Sequence, residues 1–186
     1  MRKRFLYAIN GIFFAAFFVA IFEAIAANPA LSQSQNLQAK SHPQFNQEFS
    51  GKAFVLDGDS LRVGGKEVRL IEIDAPEYSQ TCFNEKKHEY DCGQISKRFL
   101  IDLVGGKEVR CTYAQKDKYD RFLSKCFLGE KSINQEILRN GMAVIYNFAD
   151  VDEEIVKIEA EAKKAGRGIW RGAFELPKDY RKKHHR

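Results

Sequence analysis

The chain has 186 residues, of which 44% are hydrophobic and 12% aromatic. That is enough apolar material for the core of one domain, and it excludes an intrinsically disordered chain. The net charge of +5 does not by itself point to nucleic acid: residues 1–26 (Arg2, Lys3, Arg4, Glu23) carry +2, residues 178–186 carry +4, and residues 27–177 are left at −1. Basicity sits at the ends, so local arrangement has to identify any ligand.

In chain order, Met1–Arg4 is a positively charged start and residues 5–22 form an apolar run broken only by Asn10 and Gly11. Ala24-Ile25-Ala26 then offers the small residues that a signal peptidase needs. Residues 1–26 are expected to be a signal peptide. The competing reading is an uncleaved membrane anchor, because residues 5–22 are about long enough to span a bilayer and tether the chain. In either case the rest is exported, to the periplasm or the exterior, or held outside the cytoplasm. Residues 27–48, polar and rich in Gln, Ser and Asn, read as a flexible spacer.

The folded domain is expected over residues 49–172. Gly51–Leu56 predicts a first strand, Asp57-Gly58-Asp59 a turn and Ser60–Val63 a second strand. Gly64-Gly65 is a two-residue hairpin turn, and Glu67–Ile73 alternates for much of its length, as a half-buried third strand should. A polar loop over 78–93 is bracketed by Cys82 and Cys92. Ile95, Phe99, Leu100, Leu103 and Val104 then recur at helical spacing up to Gly105-Gly106. Glu108–Tyr113 and Phe122–Leu128 predict a second hairpin about a turn at Lys118-Tyr119. Ser132–Gln135 is a capping box for a short helix ending at Gly141, Met142–Tyr146 suits an extended segment, and a last helix is predicted over about Asp152–Ala165. Five short strands with helices between and after them predict an α+β, mainly β fold: a five-stranded Greek-key barrel of the OB type with about three packed helices. Residues 173–186 read as a basic tail, most simply solvated, with contact of Tyr180–Arg186 to phosphates as the alternative.

Four cysteines in an exported chain read as two disulfides, with three connectivities open. The second hairpin places Cys111 opposite Cys126 on one sheet face, which favours that pair and, by elimination, Cys82 with Cys92.

Asp59, Asp74 and Glu77 stand at or just beyond strand ends, which in a barrel converge on a rim. The Gly64-Gly65 hairpin sets residue 59 roughly opposite residue 70, so Asp59 and Asp74 can share one metal ion. Two carboxylates with a carbonyl and waters form a hard-oxygen site suited to Ca2+. Arg69 lies among Val68, Leu70 and Ile71, where a charge is costly unless it is paired or faces a ligand. Its planar fork matches phosphate oxygens, and Arg121 offers a second. Lys118 and Tyr119 add a cation and an aromatic surface for a nucleotide. One metal, one further carboxylate and two arginines are the parts that phosphodiester hydrolysis needs.

The runs Val55–Ser60, Val68–Glu77, Asp117–Arg121, Asn134–Ala143, Glu159–Lys164 and Gly168-Ile169-Trp170 resemble the staphylococcal (micrococcal) nuclease, or thermonuclease, family, in order and over about residues 50–171. The resemblance implies an OB barrel with helices and Ca2+-dependent hydrolysis of DNA and RNA to 3′-phosphate ends. It assigns Asp59 and Asp74 to calcium, Ala75 to a backbone carbonyl ligand, Glu77 to the general base, Arg69 and Arg121 to phosphate, and Lys118 and Tyr119 to a terminal phosphate of the nucleotide. It implies no protein partner. Asp120 departs from the family's glycine and stands beside Arg121, where an acid would blunt the pull on phosphate. A second stacking tyrosine has no clean match, Tyr146 being the nearest. The competing functions are a catalytically weak or inactive OB module that binds nucleic acid, and an envelope or polysaccharide-associated protein that reuses the fold.

Overall fold

A computed structural model describes residues 44–147 and 151–184. The leader, residues 1–26, and residues 27–43 of the spacer lie outside the described residues. Among the described residues no helix is long and apolar enough to cross a membrane.

The barrel is built on one long strand. β1 (Gln47–Asp57) pairs through Ala53–Asp57 with β2 (Ser60–Val63) and through Gln47–Lys52 with β7 (Glu108–Lys116), all antiparallel. β2 turns through Gly64-Gly65, whose φ values of 54° and 83° suit a tight hairpin, into β3 (Lys66–Leu70). β8 (Phe122–Leu128) pairs antiparallel with β7 and parallel with β3, and so closes five strands into a barrel. β9 (Lys131–Ser132) extends the free edge of β8. The OB-type architecture expected from the pattern is the one observed.

The third strand ends at Leu70, earlier than the predicted Ile73. Glu72 adopts a left-handed backbone, φ 69°, and breaks the run after Leu70. Ile73–Asp74 forms a separate strand, β4, paired with β10 (Val144–Ile145). The break is held at both sides. Asn134 donates to Ile71 O (2.9 Å), and Lys125 pairs with Glu72 (2.7 Å).

The loop after Glu77 contains a small hairpin, β5 (Cys82–Phe83) with β6 (Glu89–Tyr90), clamped by the Cys82–Cys92 disulfide. Cys111 and Cys126 face each other across β7 and β8 and form the second disulfide, as the hairpin register predicts.

Four α-helices pack around the barrel or over its loops: α1 (Cys92–Val104), α2 (Ile133–Arg139), α3 (Glu153–Lys164) and α4 (Pro177–Lys183). Ser132 caps α2 by accepting from Gln135 N (3.3 Å), as the capping box predicts. Leu61, Val63, Val68, Leu70 and Val109 from the strands meet Leu100 and Val104 of α1, Ile133, Ile137 and Leu138 of α2, and Ile155 and Ile158 of α3 in one core. Each such side chain contributes about 1.5–3 kcal/mol by leaving water.

Both predicted domain edges move outward. β1 begins at Gln47, inside the stretch read as spacer, and α4 lies in the stretch read as a solvated tail. Pro177 at the first turn and three basic residues in the last suit a short helix. The segment before α4 is pinned, with Phe83 N donating to Ala173 O (2.8 Å) and Gln80 Nε2 to Glu175 O (2.7 Å).

Candidate active site

Asp59 enters the site at the start of β2, and Asp74 enters it at the end of β4, beyond the break at Glu72. Ser60 lies opposite Arg69 across the hairpin, and Leu70 N donates to Asp59 O (2.9 Å), which puts all three residues on one rim. Both acids are buried, at 3% and 1% exposure. Arg69 bridges them, one nitrogen on Asp59 and the other 3.0 Å from Asp74 Oδ1. Ala75 N donates to the second oxygen of Asp59 (2.9 Å). Burial pushes the Asp59 carboxyl up to about 6, against the pull of Arg69 and the Ala75 N–H. Asp57, in the preceding turn, is also raised by burial, and the charge of Glu77 adds to the effect.

Glu77 is positioned from beneath. Gln80, fully buried, accepts from Glu77 N through Oε1 (3.2 Å), and its own N–H donates to Glu77 O (2.8 Å). A Cβ on Gly93, at the start of α1, would lie 1.8 Å from Glu77 O, so only glycine admits this approach.

The third acid is joined to the others by a residue that sequence reasoning did not single out. Arg181 of α4 donates to Asp74 through Nη1 (2.9 Å) and Nη2 (3.1 Å), and to Glu77 Oε1 through the same Nη1 (2.7 Å). Burial works against its charge, yet these hydrogen bonds hold it more firmly protonated than an ordinary arginine. The signal was a basic run following Pro177; the partners lie more than 100 residues away in sequence.

The second hairpin carries Lys118, Tyr119 and Arg121 on its turn. Asp117 organises it, accepting from Tyr119 N (2.9 Å) and Arg121 N (3.0 Å). Asp117 also pairs with the Arg121 guanidinium (2.8 Å to Nε). Burial would raise the Asp117 carboxyl, but the Arg121 side chain and the turn N–H groups hold it below its usual range. Tyr119 is 67% exposed, and both Lys118 and Arg121 lie over its ring. β8 runs beside β3, with Phe122 opposite Val68, so this turn leads directly into the strand alongside Arg69. The hairpin cations and the carboxylate cluster form two neighbouring groups, with Asp117 rather than a site acid as the ion-pair partner of Arg121.

Residues 67–172 match the sequence profile of the staphylococcal nuclease homologue family, more than half of the chain. The chain belongs to this family. A protein of Rhizobium meliloti (strain 1021) named "Succinoglycan biosynthesis protein ExoI" is 37% identical over 129 residues, 67% of this chain and 66% of that protein. An "Uncharacterized endonuclease" of Escherichia coli O157:H7 is 34% identical over 128 residues, 66% of this chain and 77% of that protein. Another so named, from Haemophilus influenzae, is 37% identical over 121 residues, 62% of each chain.

Within this family's fold, the departure at Asp120 acquires a physical reason. Asp120 sits at φ 65°, a conformation that glycine adopts freely and Asp better than most residues. Its carboxylate turns to Lys116 (2.7 Å), while Asp117 takes Arg121. The expected interference of Asp120 with Arg121 is therefore replaced by a tether from Asp117. Tyr146 is 57% exposed, and its N–H donates to Glu72 O (3.0 Å), which places it beside the break that precedes Asp74.

The donor chemistry fits a hard cation. Asp59 and Asp74 are buried side by side, and a guanidinium already sits on Asp74 and Glu77, so the cluster holds positive charge. Among the described residues no group of three or more His, Cys, Asp or Glu is arranged to hold a metal. The remaining ligands would be backbone oxygens and water, as the sequence reading anticipates for Ca2+.

Proposed function

We propose that this chain is an exported, Ca2+-dependent nuclease that hydrolyses phosphodiester bonds of DNA and RNA and leaves 3′-phosphate ends. The observation that carries the reading is the convergence of Asp59, Asp74 and Glu77 on guanidinium groups at the barrel rim. Family membership and relatives named as endonucleases support it.

In this reading Asp59, Asp74 and the Ala75 carbonyl hold the Ca2+, which when bound neutralises a phosphate oxygen. Glu77 orients water and takes its proton, its backbone fixed by Gln80 and Gly93. Arg69 offsets the repulsion between the two acids, with one fork nitrogen on each, and would turn to a phosphate oxygen once a cation takes over those carboxylates. Arg121, held by Asp117, approaches from β8, while Lys118 and Tyr119 take the terminal phosphate and a nucleotide face. Export, by signal peptide or with residues 5–22 as a tether, agrees with two disulfides.

Plasmid and RNA degradation by the full chain, with Ca2+ or with EDTA, tests the activity, and Glu77→Ala tests the base. Activity that ignores EDTA refutes the calcium mechanism; equal activity in the variant removes Glu77 from its role. Products that label at the 3′ end only after phosphatase treatment support 3′-phosphates, and cell fractionation tests export. Binding without cleavage would favour the inactive OB module. The polysaccharide name of the Rhizobium relative belongs to that protein, and the acid–guanidinium cluster supports phosphodiester chemistry here.

A further inference from the structure

We infer that Arg181 takes up the Asp74 side of the cation position, so that docking of α4 and binding of the divalent cation exclude each other. The inference rests on the calcium reading above. Both oxygens of Asp74 and Oε1 of Glu77 are engaged by one guanidinium, at 2.7–3.1 Å. A calcium ion takes carboxylate oxygens at about 2.3–2.6 Å within a shell of six to eight ligands. An ion and this guanidinium cannot share Asp74 in that way.

The charges set the direction. Of the three carboxylates, Asp59 and Asp74 pair with one guanidinium from the barrel, Arg69, while Glu77 pairs with Arg181 alone among the described ion pairs. Arg181 supplies one more positive charge, whereas a divalent ion supplies two on a smaller radius. The ion therefore displaces Arg181 once its concentration is sufficient, and Arg181 returns when the ion leaves.

The attachment of α4 suits such an exchange. It has seven residues, below the length at which a helix holds itself, and only Pro177 is buried. Beyond Arg181, its ties are polar and peripheral: Tyr180 Oη with Ser79 O (3.1 Å) and Lys183 with Glu175 (2.6 Å). The preceding segment is fixed through Ala173 and Glu175, so release involves α4 alone. Because the two events share one site, each weakens the other by the same factor.

The test measures Ca2+ binding to the full chain by calorimetry, with hydrogen exchange as a second readout. Arg181→Met is expected to bind Ca2+ at least about fivefold more tightly than the parent. Tyr180→Phe, which loosens α4 without a charge change, is expected to shift affinity in the same direction. Lys182→Met is the charge control, since Lys182 pairs with Asp179 within α4. In the parent, Ca2+ is expected to strip exchange protection from the amides of Tyr180 and His184, which donate to Leu176 O and Tyr180 O. Equal affinity in parent and Arg181→Met overturns the inference. So does an equal gain in Lys182→Met, or continued protection of α4 in the Ca2+-bound protein. Failure of every variant to bind Ca2+ overturns the calcium reading itself, and this inference with it.

Discussion

Replacing Asn134 by Leu tests how the barrel aims the site. Asn134 is 1% exposed and lies at the start of α2. Its Oδ1 accepts from Cys126 N (3.0 Å), and its Nδ2 donates to Ile71 O (2.9 Å) and Ser124 O (3.3 Å). Ser124 O keeps another donor, Ile71 N (3.1 Å). The substitution therefore deprives Cys126 N–H and Ile71 O of the partner that Asn134 supplies. Each buried group left unpaired costs about 1–3 kcal/mol, so the expected loss is about 2–5 kcal/mol after a small gain from the apolar side chain. Urea unfolding with the disulfides intact, followed by the fluorescence of the single Trp170, measures it. Because Ile71 opens the break that delivers Asp74, nuclease activity should also fall under conditions where the variant is folded. Asn134→Asp keeps an acceptor for Cys126 but turns charge on two carbonyls, and should cost at least as much. A loss below about 1 kcal/mol with an unchanged denaturant slope would refute the claim that this side chain anchors the segment.

Three further outcomes are expected. Gly93→Ala forces a Cβ against Glu77 O, so thermal melting should show a loss of about 2 kcal/mol or more, with activity falling further than stability explains; a variant with normal activity would contradict the placement of Glu77. Asp120→Gly relieves a left-handed residue and gives up only an exposed pair with Lys116, so urea unfolding should show a gain of up to about 1 kcal/mol, with activity retained because Asp117 holds Arg121. Glu159 is raised above its usual 4.5, chiefly by burial, against the Ile145 N–H (2.6 Å) and Lys163. Its neutral form therefore contributes stability that is full below pH 4.5 and is lost as pH rises through the elevated folded value; Glu159→Gln should flatten that slope in pH-dependent melting curves, and an unchanged slope would count against it.

Much of the fold was legible because its signals are local. Gly64-Gly65 specifies a tight turn, the alternation around it fixes register, and that register brings Asp59 level with the end of β3. The same reasoning paired Cys111 with Cys126, and Ser132–Gln135 announced the cap of α2. The break at Glu72 leaves one local trace, the adjacent apolar pair Leu70-Ile71 that shifts the alternation, but a phase shift alone does not say that the strand stops there. What stops the strand is held from outside, by Asn134 on Ile71 and Lys125 on Glu72. Asp120 drew attention as the acid next to Arg121, but adjacency in sequence is not direction in space: a left-handed residue turned it to Lys116.

The barrel and its disulfides could be read from residue order, and Asp59, Arg69, Asp74, Glu77 and Arg121 stood out as candidates, since periodicity, turn chemistry and residue type act over a few positions. Which of these residues meet follows from packing. Burial set Asp59 and Asp74 under one guanidinium, and the close approach of Gly93 with the buried Gln80 fixed Glu77. Chain return over more than 100 residues brought Arg181 to two of the acids. Such contacts follow from the packing of the whole core, to which no short stretch of sequence has access.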